Sequence, residues 1–210
     1  MKKNYFTATT LRVLALSVTF LCNPLLGQWV SVAPGYTNVE FYDVKFVDDN
    51  NGIAVGRDYG TLVGYIFKTS NGGSSWTSYT VPTTFFRAAA YSSTANVTAA
   101  GYPNAPSSIT LLYGSTNGGA GWTQIPNSIP YTGIEHMQFL NSTDGFATGY
   151  GGTFGYSIVV YKTTNGGATW SGVNSLNGML GSSFYMTSTT TGYVTTYATA
   201  TSGTIEKTTN

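Results

Sequence analysis

The sequence predicts an all-β fold of repeated four-stranded antiparallel sheets, and three observations lead to it. First, charged residues make up only 8% of the 210 residues while glycine (26) and tyrosine (16) are abundant, which favours strands and turns over helices. Second, a glycine-rich octapeptide occurs three times at a nearly constant interval. Third, short apolar segments bounded by glycine recur in phase with it, the pattern of a repeated sheet.

The same composition excludes several kinds of protein. A formal net charge of +1 lacks the basic surface that a nucleic-acid binder needs to neutralise phosphates. Aromatic residues at 15% argue against charge-driven disorder. His136 is the single histidine, so no histidine cluster for zinc can form. We therefore expect neither a metal nor a cofactor.

The N-terminus has the features of a secretory signal peptide over residues 1–27. Lys2–Lys3 precede the apolar stretch Val13–Cys22, and Gly27 offers a small residue for cleavage. The apolar stretch is shorter than the roughly 20 residues of a membrane span. We expect export to the periplasm, the cell surface or the medium, with no transmembrane span in the mature chain of residues 28–210.

The octapeptide is expected to form a tight turn between the third and fourth strands of each unit. Its copies are Thr69–Trp76, Ser115–Trp122 and Thr163–Trp170, with their asparagines 46 and 48 residues apart. Asn-Gly-Gly accepts the positive φ that tight hairpins need, and the asparagine amide can bind backbone N–H groups two residues on. The tryptophan then lies on the fourth strand and packs between neighbouring sheets. The residues with this structural role are Thr69, Asn71, Gly73, Trp76, Ser115, Asn117, Gly119, Trp122, Thr163, Asn165, Gly167 and Trp170.

Four short strands in a period near 45 residues indicate the blades of a β-propeller. The four strands of the first unit are expected over 41–47, 52–57, 63–68 and 75–80. The last unit supplies three strands, expected over 183–187, 192–197 and 203–208.

The chain therefore contains three complete blades, one incomplete blade and a lone first strand at Trp29–Val32, which lies 47 residues before Trp76. In one interpretation the lone strand completes the last blade and closes a four-bladed ring, which removes the exposed edge. In the other, which we favour, the chain is the front part of a larger propeller, because Thr208–Asn210 begins another octapeptide. The open edge would then promote self-association.

The spacing Ser/Thr-x-Asn-x-Gly-x-x-Trp resembles the Asp-box, or BNR repeat, of sialidase-like, sortilin-like and photosystem II stability/assembly-factor-like β-propellers. The likeness covers residues 28–210, with Asn in place of Asp in each copy. Lys68–Trp76 and Lys162–Trp170 are most similar to the photosystem II factor-like propellers of secreted bacterial proteins. The resemblance implies about four blades, octapeptides on the outer side, and roles in protein assembly or adhesion.

In such a propeller the loops after the second and fourth strands gather on one face near the central channel. These loops vary between the units, and variable loops on a rigid scaffold commonly carry binding sites. We expect their aromatic and charged residues to form a face for a protein or glycan ligand. The candidates are Arg57, Asp58, Tyr59, Phe86, Arg87, Tyr102, Glu135, His136, Tyr150 and Tyr156.

The resemblance also allows an enzyme to be considered. A sialidase-like site would need three arginines for the substrate carboxylate, whereas residues 28–210 contain only Arg57 and Arg87. We therefore expect a non-catalytic binding or scaffold module. The alternatives are a sialidase-like glycan hydrolase whose catalytic residues lie partly outside this chain, and a structural adhesin segment. For a hydrolase with paired carboxylates, Glu135 with Asp144 or Asp58 is the least unfavourable choice.

Overall fold

The computed structural model describes residues 30–32, 35–104, 109–126, 129, 133–151, 157–177, 179–199 and 202–209. The predicted signal peptide and its cleavage site lie outside these residues, as does Tyr156. All the strands belong to the compact unit Val32–Asn210. Within the described ranges, no helix is long and apolar enough to cross a membrane.

The chain folds into successive antiparallel sheets, here called blades, each with its strands in sequence order. The first blade comprises β1 (Val39–Phe46), β2 (Gly52–Asp58), β3 (Val63–Thr69) and β4 (Thr77–Pro82). The second comprises β5 (Thr84–Tyr91), β6 (Val97–Pro103), β7 (Leu111–Ser115) and β8 (Thr123–Ile125). The third comprises β9 (Gly133–Phe139), β10 (Gly145–Gly151), β11 (Ser157–Thr163) and β12 (Ser171–Asn177). The fourth comprises β13 (Met179–Met186), β14 (Gly192–Thr199) and β15 (Ser202–Thr208). The predicted all-β blade architecture is confirmed.

The first strands of the blades lie side by side. β1 contacts β5, β5 contacts β9, and β9 contacts β13. The strands that begin each blade therefore share one side of the assembly, and residues at matching positions on them can meet.

The octapeptide turn is built by its own side chains. In the first copy the Thr69 hydroxyl accepts a hydrogen bond from the Gly73 N–H at 2.9 Å and donates to Asn71 Oδ1 at 3.0 Å. Asn71 Oδ1 also accepts from the Ser75 N–H at 2.9 Å. The Asn71 side chain therefore binds the backbone N–H of the residue four positions later, and not two positions later as predicted. Gly72 and Gly73 both adopt positive φ (66° and 85°), which lengthens the turn. An uncharged amide is sufficient for these contacts.

Each of the later tryptophans packs against the blade before its own. Trp122 is buried with Ile53 and Ile66 of the first blade, and Trp170 is buried with Ala100 and Leu112 of the second. The predicted packing between sheets is confirmed. The predicted position on the fourth strand is wrong by one residue, since β4, β8 and β12 each begin directly after the tryptophan.

Among the described residues no blade precedes Trp76, which contacts the N-terminal segment. Its Nε1 donates to the Val32 carbonyl at 3.1 Å, whereas Trp122 Nε1 donates to the carbonyl of Gly119 in its own turn. Val30–Val32 form no strand, so the predicted strand at 29–32 is not present in its described part. The Val32 carbonyl accepts its hydrogen bond from the Trp76 indole and not from the backbone of a neighbouring strand.

Candidate ligand-binding site

A β-bulge occurs at the same position in the first strand of three blades. The pairing of β1 with β2 skips Tyr42, the pairing of β5 with β6 skips Arg87, and the pairing of β9 with β10 skips Glu135. A bulge leaves its extra residue out of the ladder and re-aims its side chain, and bulges are enriched next to functional sites. Tyr42, Arg87 and Glu135 are called the bulge residues below.

Glycines on the second strands make these bulges sterically feasible. A Cβ atom added to Gly56 would lie 2.1 Å from the Glu40 carbonyl oxygen. The equivalent distances are 2.3 Å from Gly101 to the Phe85 oxygen and 2.1 Å from Gly149 to the Gly133 oxygen. Because a side chain cannot be accommodated at such distances, only glycine permits this close approach of the two backbones.

The three bulge residues contact one another across the blades. The guanidinium carbon of Arg87 lies 4.4 Å from the centre of the Tyr42 ring, a cation–π geometry. Arg87 Nε lies 3.1 Å from Glu135 Oε2, and the two side chains are 28% and 17% exposed. One side chain from each of three blades therefore joins into a single polar cluster.

A second arginine lies beside this cluster. The guanidinium carbon of Arg57 lies 3.7 Å from the centre of the Tyr59 ring and 4.1 Å from that of Phe85. Its Nε is 3.5 Å from Glu40 Oε2, which makes a long ion pair. The Tyr42 hydroxyl donates to the same carboxylate and so links Arg57 to the bulge residues.

Burial changes the ionisation of this cluster. It raises the pKa of Glu135, and the positive charge of Arg87 offsets that effect only in part. Burial alone would lower the pKa of Arg87, but Glu135 and the neighbouring tyrosines outweigh it, so the Arg87 pKa is raised. Burial is also the main cause of the raised pKa values of Tyr102 and Tyr150. Shifted acid groups of this kind are common at functional sites.

A pocket of ≈ 180 Å³ opens beside the bulge residues. Asp43 and Lys45 line it and form an ion pair at 2.9 Å between Oδ1 and Nζ. The other carboxylate oxygen of Asp43 accepts the Ala89 N–H of the next blade at 3.0 Å. Met137 and Phe184 supply apolar surface. The pocket thus combines both signs of charge with an apolar wall, as small-ligand sites do.

The structure brings together most of the residues that the sequence nominates. Arg57, Tyr59, Arg87 and Glu135 belong to the cluster described above. Tyr102 packs on Phe85 with ring centres 5.5 Å apart, and His136 lines the pocket. Tyr150 interacts electrostatically with Glu135, Arg87 and Tyr102.

Two nominated residues have other roles. Phe86 is fully buried among the residues between the first and second blades and presents nothing to a ligand. The carboxylate of Asp58 accepts the N–H groups of Gly60 and Thr61 at 2.7 and 3.1 Å, so it shapes the turn after β2. Tyr156 lies outside the described residues.

Sequence reasoning missed the contribution of β1. Glu40, Tyr42, Asp43 and Lys45 all belong to the cluster or its pocket, yet they lie on β1 and not in one of the variable loops. The glycine that recurs in the second strands (Gly56, Gly101 and Gly149) could have indicated this contribution, because it lies opposite the bulge in the first strand.

The carboxylate pairings considered for a hydrolase are not supported by the geometry. Asp144 accepts the Asn141 side-chain amide in the turn after β9. Its backbone pairs with Leu140, five residues along the strand from Glu135, or about 16 Å at 3.3 Å per residue. Glycosidase carboxylates lie roughly 5 to 9.5 Å apart. Asp58 is engaged in its own turn. Asp43 is the other carboxylate that lines the pocket with Glu135.

Comparisons with known proteins show the fold. No family model and no curated protein matches the chain. Among solved structures, YCF48 from Cyanidioschyzon merolae is similar with a TM-score of 0.53 and 17% identity, over 81% of this chain and 56% of that one. The GH74 enzyme of Niastella koreensis is similar with a TM-score of 0.57 and 19% identity, over 80% of this chain and 28% of that one.

The GH74 xyloglucanase of Xanthomonas campestris gives a TM-score of 0.54 and 11% identity, over 79% of this chain and 29% of that one. The chain thus has a β-propeller fold, and it spans about half the length of the YCF48 chain and under a third of the GH74 chains.

Proposed function

We propose that this chain is an exported, non-catalytic β-propeller of the Asp-box group that binds a protein or glycan ligand at the bulge-residue cluster. The observation that carries the proposal is the meeting of Tyr42, Arg87 and Glu135. They occupy the same position in three successive blades, yet they are an aromatic, a cationic and an acidic residue. Their side chains contact one another across the blades and line a pocket, so they place aromatic, cationic and acidic groups within reach of a ligand.

The cluster has groups to offer a ligand. Among the described residues Arg87 uses its Nε for Glu135, and its four Nη hydrogens are the remaining donors of the guanidinium. Tyr59 is 57% exposed, and the Arg57 guanidinium lies over its ring. Donors beside an aromatic ring suit sugar hydroxyls and the carbonyl groups of a peptide.

A matched pair of tyrosine variants tests this site. Tyr59 and Tyr185 are 57% and 60% exposed, so replacing either with alanine should cost little stability. A glycan array and a pull-down from the cell envelope first identify a binder. Tyr59→Ala should then weaken retention of that binder at least fivefold, while Tyr185→Ala leaves it unchanged. Equal retention by the two variants would contradict the proposed site.

Glu135 supports a hydrolase as a second candidate function. Its side chain is only 17% exposed, burial raises its pKa, and it shares a pocket with Asp43, which are properties of a general acid and its partner carboxylate. Release of reducing ends from a glycan panel tests this candidate. Turnover that is lost in Glu135→Gln but kept in Glu206→Gln would establish catalysis and would overturn the non-catalytic proposal.

Export is tested separately from binding. The signal-peptide features of residues 1–27 predict a mature protein that begins at Gln28. N-terminal sequencing of protein recovered from the periplasm or the medium of the expressing cell measures this. A chain that stays in the cytoplasm with Met1 intact would contradict the export proposal and leave the binding site untouched.

A further inference from the structure

A groove of ≈ 810 Å³ lies between the octapeptide turns of the second and third blades. Gly114, Asn117 and Thr123 line it from the second blade, and Ser142 and Asn165 line it from the third. It shares no lining residue with the pocket beside the bulge residues, so it is considered independently of the proposed function. Its volume is in the range of roughly 300 to 1,000 Å³ that small-ligand sites have.

Two of the three octapeptides contain the same hydrogen bond between side chains. Asn71 Nδ2 donates to Ser75 Oγ, and Asn165 Nδ2 donates to Thr169 Oγ1, at 2.8 Å in both copies. The equivalent residue of the second octapeptide is Gly121, which has no side chain to accept this hydrogen bond. The second turn therefore differs from the other two at one defined position.

Asn117 keeps its own turn and has a donor left over. Its Oδ1 accepts from the Ser115 hydroxyl and from the Gly121 N–H, both at 2.8 Å. Among the described residues its Nδ2 has no hydrogen-bond partner, and Asn117 is exposed. A Cβ atom on Gly121 would lie 3.3 Å from this Nδ2, and both residues line the groove. The place of the missing hydroxyl is thus open to a hydroxyl of a ligand.

A second departure from the repeat leaves the groove wide and neutral. The strand registers make Gly114 equivalent to Lys68 of the first blade and Lys162 of the third. Lys68 reaches the next octapeptide, since its Cδ lies 3.6 Å from the place of a Cβ atom on Gly119. Gly114 has no such side chain to cover the third octapeptide. None of the described residues that line the groove is charged.

Thr123 adds a second free group to the groove. The Thr77 hydroxyl, at the equivalent position of the first blade, donates to the Lys68 carbonyl at 3.5 Å. The Thr123 hydroxyl has no hydrogen-bond partner among the described residues, and Thr123 is exposed. The groove therefore offers an amide donor and a hydroxyl that its own fold does not use.

We propose that this groove binds a neutral oligosaccharide. One sugar hydroxyl accepts from Asn117 Nδ2, in the place that the Ser75 and Thr169 hydroxyls take in their own turns. Another bonds to the Thr123 hydroxyl. Hydroxyl groups both donate and accept hydrogen bonds, so they match the amide and hydroxyl groups of the groove. The ligand is uncharged, because an ionised group would lose hydration here without gaining an ion pair.

Calorimetric titration of the full chain with β-1,4-linked hexamers of glucose, mannose, xylose and N-acetylglucosamine tests the groove. At least one hexamer should bind saturably. Gly121→Ser should weaken that binding at least tenfold, because its hydroxyl engages Asn117 Nδ2 and its side chain fills the space. Ala120→Ser adds the same atoms one residue earlier, outside the groove lining, and should leave binding unchanged.

Both serine variants should melt like the parent, because Ser74 and Ser75 occupy these positions in the first octapeptide. Absence of binding to all four hexamers, or equal binding by the two variants, would overturn the proposal.

A pair of threonine variants tests the second contact without changing the shape of the side chain. Thr123→Val removes the hydroxyl that lines the groove and should weaken binding of the hexamer roughly threefold or more. Thr77→Val makes the same change at the equivalent exposed position of the first blade and should leave binding unchanged. Equal effects of the two variants would overturn the proposed position of the sugar.

Three other results would assign the ligand differently. Binding of a hexamer that falls in Tyr59→Ala but not in Gly121→Ser would place the sugar at the bulge-residue cluster and overturn the groove assignment. A hexamer of galacturonate that competes for the groove with equal affinity would overturn the assignment to an uncharged ligand. A hexapeptide of alternating serine and threonine that binds when no sugar does, and that Gly121→Ser weakens, would mean that a protein is the ligand and would overturn the carbohydrate assignment.

Discussion

The three octapeptide tryptophans should contribute unequally to stability, although their sequence surroundings are alike. Trp122 and Trp170 are 9% and 5% exposed between two blades. Trp76 is only partly buried, because Val32 and Phe46 are its neighbours where a preceding blade would stand. The series Trp76→Ala, Trp122→Ala and Trp170→Ala therefore compares one side chain in two environments.

The magnitude follows from the buried area. An aromatic side chain buries roughly 150 to 250 Å², which at about 25 cal/mol per Å² corresponds to about 4 to 6 kcal/mol. Measured Trp→Ala costs in protein cores are about 3 to 5 kcal/mol. We expect Trp122→Ala and Trp170→Ala to lower the free energy of unfolding by about 4 kcal/mol each, and Trp76→Ala by less than half of that.

Urea unfolding followed by far-UV circular dichroism measures the difference, with the slope of the unfolding free energy checked for each variant. Tryptophan fluorescence is unsuitable because the substitutions remove the reporter. A cost for Trp76→Ala as large as that for Trp170→Ala would refute the argument, since it would mean that the indole acts through its own turn and not through the preceding blade.

Three further predictions concern the strands that carry the site. Gly149→Ala should lower the free energy of unfolding by more than about 2 kcal/mol through backbone overlap, whereas Gly172→Ala, whose nearest atom would be 3.6 Å away, should cost under about 1 kcal/mol in the same urea assay. Gln138 Oε1 accepts from the Met186 N–H at 2.7 Å and its Nε2 donates to the Met186 carbonyl at 2.9 Å. Gln138→Ala should therefore cost about 1 to 3 kcal/mol, while Gln138→Glu should retain part of that contribution. Because the folded-state pKa of Glu135 is raised, its contribution is fully present below about pH 4.5 and is lost as the pH rises through the folded-state value. The melting temperature of the parent minus that of Glu135→Gln should accordingly fall between pH 4 and pH 8, and a difference independent of pH would contradict the shift.

The blade architecture could be predicted from the sequence because its strongest signal is local. Thr69, Asn71 and Gly73 close their turn within five residues, so the composition of the octapeptide alone specifies it. The length of the Asn71 bridge could not be predicted, since it depends on two successive positive φ angles. The path of Val32 could not be predicted either. It depends on the tryptophan in a distant turn.

The ligand-site candidates could be predicted because they follow or precede a turn in the sequence, although Arg57, Arg87 and Glu135 lie within β2, β5 and β9. Arg57 lies at the end of β2 and Tyr59 follows it in the turn, so a search for polar and aromatic residues near turns identifies both. It does not identify Tyr42, because nothing within β1 itself distinguishes it from a ladder residue. Its role depends on Gly56 in the neighbouring strand and on Arg87 in the next blade. Those contacts arise from sheet register and blade stacking, which no short window of sequence contains.

The proposed ligand site follows from one property of repeated folds. A position that packs the same way in each repeat is explained by the fold, as the positions of Trp122 and Trp170 are. The bulge position has the same backbone geometry in three blades and a different side chain in each. We propose that ligand recognition accounts for the different chemistry of Tyr42, Arg87 and Glu135.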